Sequence, residues 1–203
     1  MTRTLDFYWD FSSPYAYLAA SQVEAVAARA NATLHVRPML LGAVFRAVGQ
    51  VDAPVLTWSE AKRRHTMRDM DRWAEYWGVP FRFPTRFPMG TVKSLRTYLA
   101  LPEEKKRPFR DATFRAYWAE DRDIANEGVL AELVTSVGGD AKAIAEAIGT
   151  TPIKDALFAA TEHAVKQGVF GAPTWVVDGT ELFWGQDRVV LVERALASAG
   201  SSA

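Results

Sequence analysis

The chain has 203 residues, 49% of them hydrophobic, with 24 basic side chains, 24 acidic ones, 3 histidines and no cysteine. That much apolar material can bury a core for one domain carrying an insertion, or for two small lobes, and it excludes an intrinsically disordered chain. The cancelled charge and a pI near 6.8 leave no overall pull toward nucleic acid or anionic membrane, and the missing sulfur nucleophile excludes a dithiol oxidant or reductase.

The first ten residues carry no secretory hydrophobic stretch or cleavage site, and no later window approaches a membrane span; with zero cysteines this reads as a cytoplasmic protein. Leu5 to Trp9 is short, aromatic and apolar with a single acid, the pattern of a buried central strand. Ser13-Pro14 punctuates a helix start: a hydroxyl cap, then a proline whose missing N–H costs nothing at the first helical position. Leu18, Ala19, Gln22, Val23, Val26, Ala27 and Ala30 follow at helical spacing, with Asn31 as the stop. Thr33 to Arg37 alternates like a strand before Pro38, which completes a strand, helix, strand unit expected to be parallel and right-handed.

From Leu41 to Gly168 the pattern turns helical almost without interruption. Thr57 and Glu60 form a capping box for a long helix to about Trp77, stopped at Gly78. Thr91 caps a helix through Leu99, Asn126 one ending at Gly138, and Asp140 and Thr151-Pro152 open two more that end near Gly149 and Gly168. Pro108 interrupts the stretch from Glu103 to Glu120, where a kink or a fresh start is expected. After Gly168 come Thr174 to Val177, the turn dipeptide Asp178-Gly179, and Glu181 to Trp184, which together read as a hairpin. Asp187 caps a last amphipathic helix to Ala197, and Gly200 to Ala203 is a frayed tail.

This order is that of an α/β thioredoxin fold broken after its second strand by an all-helical insertion. We place the thioredoxin-like part at 1–42 and 166–203 and the insertion at 43–165. Phe7-Tyr8-Trp9-Asp10-Phe11-Ser12-Ser13-Pro14-Tyr15-Ala16-Tyr17-Leu18 closely resembles the N-terminal phrase of the DsbA-like 2-hydroxychromene-2-carboxylate isomerases and kappa-class glutathione transferases. Gly168 to Thr174, followed by Phe183-Trp184-Gly185-Gln186-Asp187-Arg188, resembles their second signature.

In disulfide-exchanging relatives Cys-Pro-X-Cys stands where this chain has Ser13-Pro14-Tyr15-Ala16, so the redox pair is deleted and any thiol comes from outside. What remains is a helix start whose free N–H groups and dipole favour an anion, with the Ser13 hydroxyl beside them. Taken alone, Ser13 is an ordinary N-cap, and Ala172-Pro173 an ordinary trans proline at a strand start. The resemblance makes the second a cis-proline turn facing the first, with the backbone of Ala172 open to an extended peptide. Likewise Gln186-Asp187 is either a plain cap or the receiver of a γ-glutamyl group.

The resemblance implies glutathione as cofactor, with Ser13 catalytic and Ser13, Pro14, Gln50, Ala172, Pro173, Gln186 and Asp187 holding it. Where the family shows asparagine near position 50 and before Thr91, this chain has Gln50 and Gly90, so neither contact carries over directly. The implied reaction is reversible thiolate addition that isomerises a 2-hydroxychromene-2-carboxylate-like substrate, a small aromatic or enone-like acid, in a homodimer. A kappa-like transferase and a non-catalytic peptide-binding module are the alternatives. Lys62, Arg63, Arg64, His65, Arg68 and Arg72 form a basic face, from which an arginine is placed to hold a substrate carboxylate. His35, His65 and His163 are scattered, and no spacing suggests a metal. Trp73, Trp77, Tyr117 and Trp118 recur at helical spacing as core or lobe contacts.

Overall fold

Thr4–Trp9 forms strand β1, and everything else is arranged around it. Its residues from Leu5 to Trp9 are all buried, because the strand is central in a four-stranded sheet and covered on both faces. The computed structural model describes residues 2–51 and 54–198, so the tail expected to fray at 200–203 lies outside the described residues.

Two short helices follow β1, α1 (Pro14–Ala20) and α2 (Val23–Arg29). A single helix was expected from the apolar spacing. It breaks at Ser21, whose hydroxyl turns back to donate to the Leu18 carbonyl at 2.7 Å, a local bond that competes with helix continuation. Asn31 ends α2 at φ 49°, the left-handed stop its side chain tolerates. Strand β2 (Thr33–Pro38) then pairs parallel to β1, with Leu5 opposite Leu34 and Trp9 opposite Pro38.

The helical part comprises α3 (Leu41–Ala47), α4 (Glu60–Trp77), α5 (Val92–Ala100), α6 (Glu103–Trp118), α7 (Glu127–Ser136), α8 (Ala141–Ala147) and α9 (Thr151–Lys166). The divisions expected at 42/43 and 165/166 fall within α3 and α9, which pack on each other, so no linker separates the two parts. Helix α4 is capped by Ser59, whose hydroxyl accepts from Lys62 N–H. Thr57 instead belongs to a 3-10 turn and donates to the Pro54 carbonyl. Helix α6 runs unbroken through Pro108 rather than restarting there, and Thr91 opens α5 without a side-chain cap.

Strands β3 (Thr174–Val177) and β4 (Glu181–Trp184) make the hairpin, turning where Asp178 and Gly179 both have positive φ. Sheet order is β2-β1-β3-β4, with β3 antiparallel to β1. A 3-10 turn, Gln186–Arg188, leads into α10 (Val189–Ala197). Asp187 sits inside that turn beside Arg188 at 3.3 Å and does not cap α10.

One buried cation ties the insertion to the sheet side. Arg110 on α6 is 1% exposed, and its guanidinium donates to Glu24 of α2 and to Asp111, each at 2.8 Å. Removing one partner of a buried ion pair strands the other, so Glu24→Ala is expected to lower unfolding free energy by about 2 kcal/mol, the effect being softened because Asp111 remains. Denaturant titration checks this, and an unchanged midpoint would show that α6 is held by packing alone.

Candidate active site

Strand β1 delivers the chain into Asp10-Phe11-Ser12-Ser13, of which Asp10, Ser12 and Ser13 line a cavity of about 740 Å³ between the ends of the central strands and the helical part. Asp10 is fully buried and ties down three walls of that cavity. Its carboxylate accepts from Ser12 N–H at 2.9 Å and from Leu41 N–H at 2.7 Å, and it takes a further hydrogen bond from the Thr91 side chain. Burial pushes the Asp10 carboxyl above its usual range, against the pull of those donors.

Ser13 is the N-cap of α1. Its Oγ accepts from Ala16 N–H at 3.1 Å and donates to the Ala172 carbonyl at 2.8 Å, across the site. The Ala172–Pro173 peptide is cis. Three successive carbonyls of that turn are engaged: Gly171 by the Thr174 hydroxyl, Ala172 by Ser13, and Pro173 by Gly185 N–H. The Ala172 N–H donates to no group among the described residues. A Cβ at Gly171 would lie 2.5 Å from the Trp184 indole nitrogen, so any larger residue there displaces that half-exposed ring.

The break after α1 alters the electrostatics expected of the site. The helix behind Ser13 has only seven residues, and of its first amides Ala16 and Tyr17 are already bonded to Ser13. Tyr15 N–H alone remains open there among the described residues. The Ser13 hydroxyl therefore counts for more, and the helix dipole for less, than the sequence implied.

Ser13, Pro14, Gln50 and Ala172 line the cavity, and so does Gly90. Pro173, Gln186 and Asp187 do not. Gln186 is buried, its amide oxygen accepting from Trp77 Nε1 at 2.8 Å, which bridges α4 to the C-terminal turn. Asp187 stands close enough to Tyr15 to help hold that phenol up at about 12, after burial and Asp69. Of the basic face, Arg63, Arg64, His65, Arg68 and Arg72 are exposed, while Lys62 reaches the cavity wall, its ammonium 4.5 Å from the Trp58 ring centroid.

Sequence reasoning missed the opposite wall. Residues 79–90, between α4 and α5, form no helix or strand, yet Phe83 and Phe87 from this segment line the cavity. Their rings pack 5.1 Å apart and lie against the buried Trp118 of α6. The repeated Phe and Pro of Phe81-Arg82-Phe83-Pro84 and Phe87-Pro88 were the available signal. Among the described residues no cluster of side chains could hold a metal ion, and no helix is long and apolar enough to cross a membrane.

A thioredoxin sheet with serine at the helix cap and a facing cis-proline defines a DsbA-like protein without its redox pair. Residues 4–197 match the DSBA-like thioredoxin domain model, and the chain belongs to that family. Within it, the chain belongs with the 2-hydroxychromene-2-carboxylate isomerases and their kappa-class glutathione transferase relatives. It is 31% identical to the isomerase of Sphingobium xenophagum over 196 residues, 97% of this chain and 99% of that one. It is 26% identical to human glutathione S-transferase kappa 1 over 211 residues, covering 97% and 92%. A solved 2-hydroxychromene-2-carboxylate isomerase superposes with a TM-score of 0.84 at 26% identity, covering 95% of this chain and 94% of that one.

Asp10→Ala leaves the Ser12 and Leu41 amides without their acceptor and is expected to cost about 2 kcal/mol at neutral pH. Because the folded carboxyl titrates above its ordinary 3.8, the stability Asp10 contributes is fullest in acid and falls as pH rises through the folded value. The gap between wild type and variant should therefore narrow from acid toward neutral pH. A gap that widens would mean that the donors outweigh burial.

Proposed function

We propose that the chain is a glutathione-dependent cis-trans isomerase acting on 2-hydroxychromene-2-carboxylate or a closely similar aryl enone acid. The observation that carries this reading is the Ser13 hydroxyl, buried at the cavity floor and facing Ala172, in a chain that has no cysteine. Relatives named for that isomerisation and for glutathione transfer align over nearly the whole chain and support it.

The residues present suit a thiol tripeptide. Ala172 N–H is unspent beside the cavity and suits strand-like pairing with an extended backbone, as Tyr15 N–H suits an anion. Arg46 and Lys62 on the wall are cations of the kind that receive carboxylates, while Asp187, off the cavity lining and beside Arg188, would have to turn from that partner to receive an amino group. Bound there, glutathione would supply a thiolate that adds reversibly to the conjugated double bond, so that the bond can rotate before the thiol is eliminated.

Ser13 Oγ holds its proton toward Ala172 O and can turn it toward a sulfur anion instead. A hydroxyl donated in a cavity walled by aromatic rings stabilises that charge and lowers the thiol pKa. Ser13 acts as a donor and not as a nucleophile, because no histidine lines the cavity among the described residues and the Asp10 carboxylate is committed to amides. Half of the lining is apolar or aromatic, which excludes competing water from the reacting bond. The proposal extends, from the family, to a cytoplasmic homodimer.

Ser13→Ala is expected to lower kcat/KM about a hundredfold and to raise the pKa of the bound thiol by roughly one to two units. Thiolate absorbance against pH, with and without the enzyme, reads the second effect. Reduced glutathione recovered unchanged beside a new substrate isomer supports isomerisation. Its consumption mole for mole would make the chain a kappa-like transferase, the reading favoured by the 26% identity to the human enzyme. Glutathione-dependent rates untouched in Ser13→Ala would leave only a binding module.

A further inference from the structure

Asp121 follows α6 at φ 55° and gathers the segment opposite it. Its carboxylate accepts from Thr85 N–H and from the Thr85 hydroxyl, each at 2.8 Å, and its carbonyl accepts from Arg86 Nη1 at 3.0 Å. Arg82 stands 3.9 Å from the same carboxylate, and Arg82 N–H donates to the Trp118 carbonyl at 2.6 Å. The Asp121 carboxylate thus holds Thr85 directly, with Arg82 beside it, while the backbone carbonyls of Asp121 and Trp118 take Arg86 and the Arg82 amide, in a segment with no helix or strand of its own. Phe83 within that stretch and Phe87 just after it form an aromatic wall of the cavity. The Thr85 hydrogen bonds hold the Asp121 carboxyl below the usual carboxylate range, so the clamp is charged throughout ordinary pH.

Trp118 carries this wall to the reacting end. Its ring packs against Phe81, Phe83 and Phe87, and its Nε1 donates at 2.8 Å to the carbonyl of Phe11, two residues before Ser13. The wall is therefore tied, through Trp118, to the segment that carries Ser13. An irregular loop left free would place its rings over several rotamers and pay their ordering on each binding event.

We propose that Asp121 is a positioning residue for the electrophile: by clamping 82–86 it holds Phe83 and Phe87 as a preformed face for a planar aryl group, without touching the substrate itself. This deepens the reading above and rests on it for the reaction, while the binding it predicts is measurable without turnover. Asp121 does not line the cavity and its hydrogen bonds go to Thr85 and Arg86, so it bears on the loop that carries the rings and not on Ser13 or Ala172.

The probes are trans-cinnamate, a planar aryl enoate, and reduced glutathione, each titrated calorimetrically into wild type, Asp121→Ala and Asp121→Asn. Loss of one well-oriented aromatic contact corresponds to about fivefold to tenfold in cinnamate affinity, expected for Asp121→Ala with glutathione affinity unchanged. Asp121→Asn should recover most of it, because an amide still accepts from Thr85 N–H and can donate to its hydroxyl. With the aryl substrate, Asp121→Ala should raise KM far more than it lowers kcat. Phe83→Ala removes a ring with the clamp intact and should reproduce the cinnamate loss if Asp121→Ala does not fold.

Wild-type cinnamate affinity in Asp121→Ala, an equal loss of glutathione, no recovery in Asp121→Asn, or a wild type that takes up no cinnamate would each overturn the assignment. A wild type that binds cinnamate but ignores glutathione would instead overturn the isomerase reading and leave Asp121 in its role.

Discussion

The hydrogen bond from Ser13 Oγ to the Ala172 carbonyl joins residues 159 positions apart, and the rest of the site is arranged about it. It exists because β1 and β3 are antiparallel neighbours, with Tyr8 opposite Thr174, so the end of one strand and the start of the other emerge on the same side. The whole helical part is inserted between them in sequence. Closing so long a loop costs entropy that grows only slowly with length, and a well-paired central strand repays it. The insertion is thereby free to vary in sequence while the two polar segments stay registered by the sheet.

The insertion is nevertheless coupled to that register. Arg110 reaches Glu24 across the sheet side, Trp118 donates to Phe11, and Trp77 donates to Gln186, so three helical residues each grip a segment next to the site. Two of these are indole donors, which pair a large buried apolar surface with one directional bond. Asp10 does the same from the strand side by taking the Leu41 amide at the start of α3. The cavity is thus a seam between two parts whose spacing is set by a handful of buried polar contacts.

The strands, the hairpin turn and most helix ends were legible in the sequence, because Ser13-Pro14, Asn126, Asp140, Gly78 and Asp178-Gly179 act through local backbone chemistry. That Ser13 and Ala172-Pro173 face each other was legible only through the family resemblance, since each alone is an ordinary cap or strand-start proline. Failures came where a local rule had a competitor. Ser59 displaced Thr57 as a cap, Ser21 broke a helix that periodicity would continue, and Pro108 was tolerated within a helix packed on its neighbours. Gln186 was expected to hold the cofactor, but nothing local shows that its oxygen is already taken by Trp77 and that it stands off the cavity lining.

The aromatic wall was illegible for a different reason. Phe83 and Phe87 lie in a segment without period, and what orders them is a carboxylate more than thirty residues later. A rule based on spacing cannot see such a clamp, because its partners share neither a helix face nor a strand register. The asymmetry follows from what each half must do. Under the reading proposed above, a thiol tripeptide would meet a cap and a strand start, which local rules reveal, whereas an aryl electrophile would meet rings on an irregular loop, which they do not. On that reading, the contacts that hold the loop still bear on the electrophile as directly as the rings themselves.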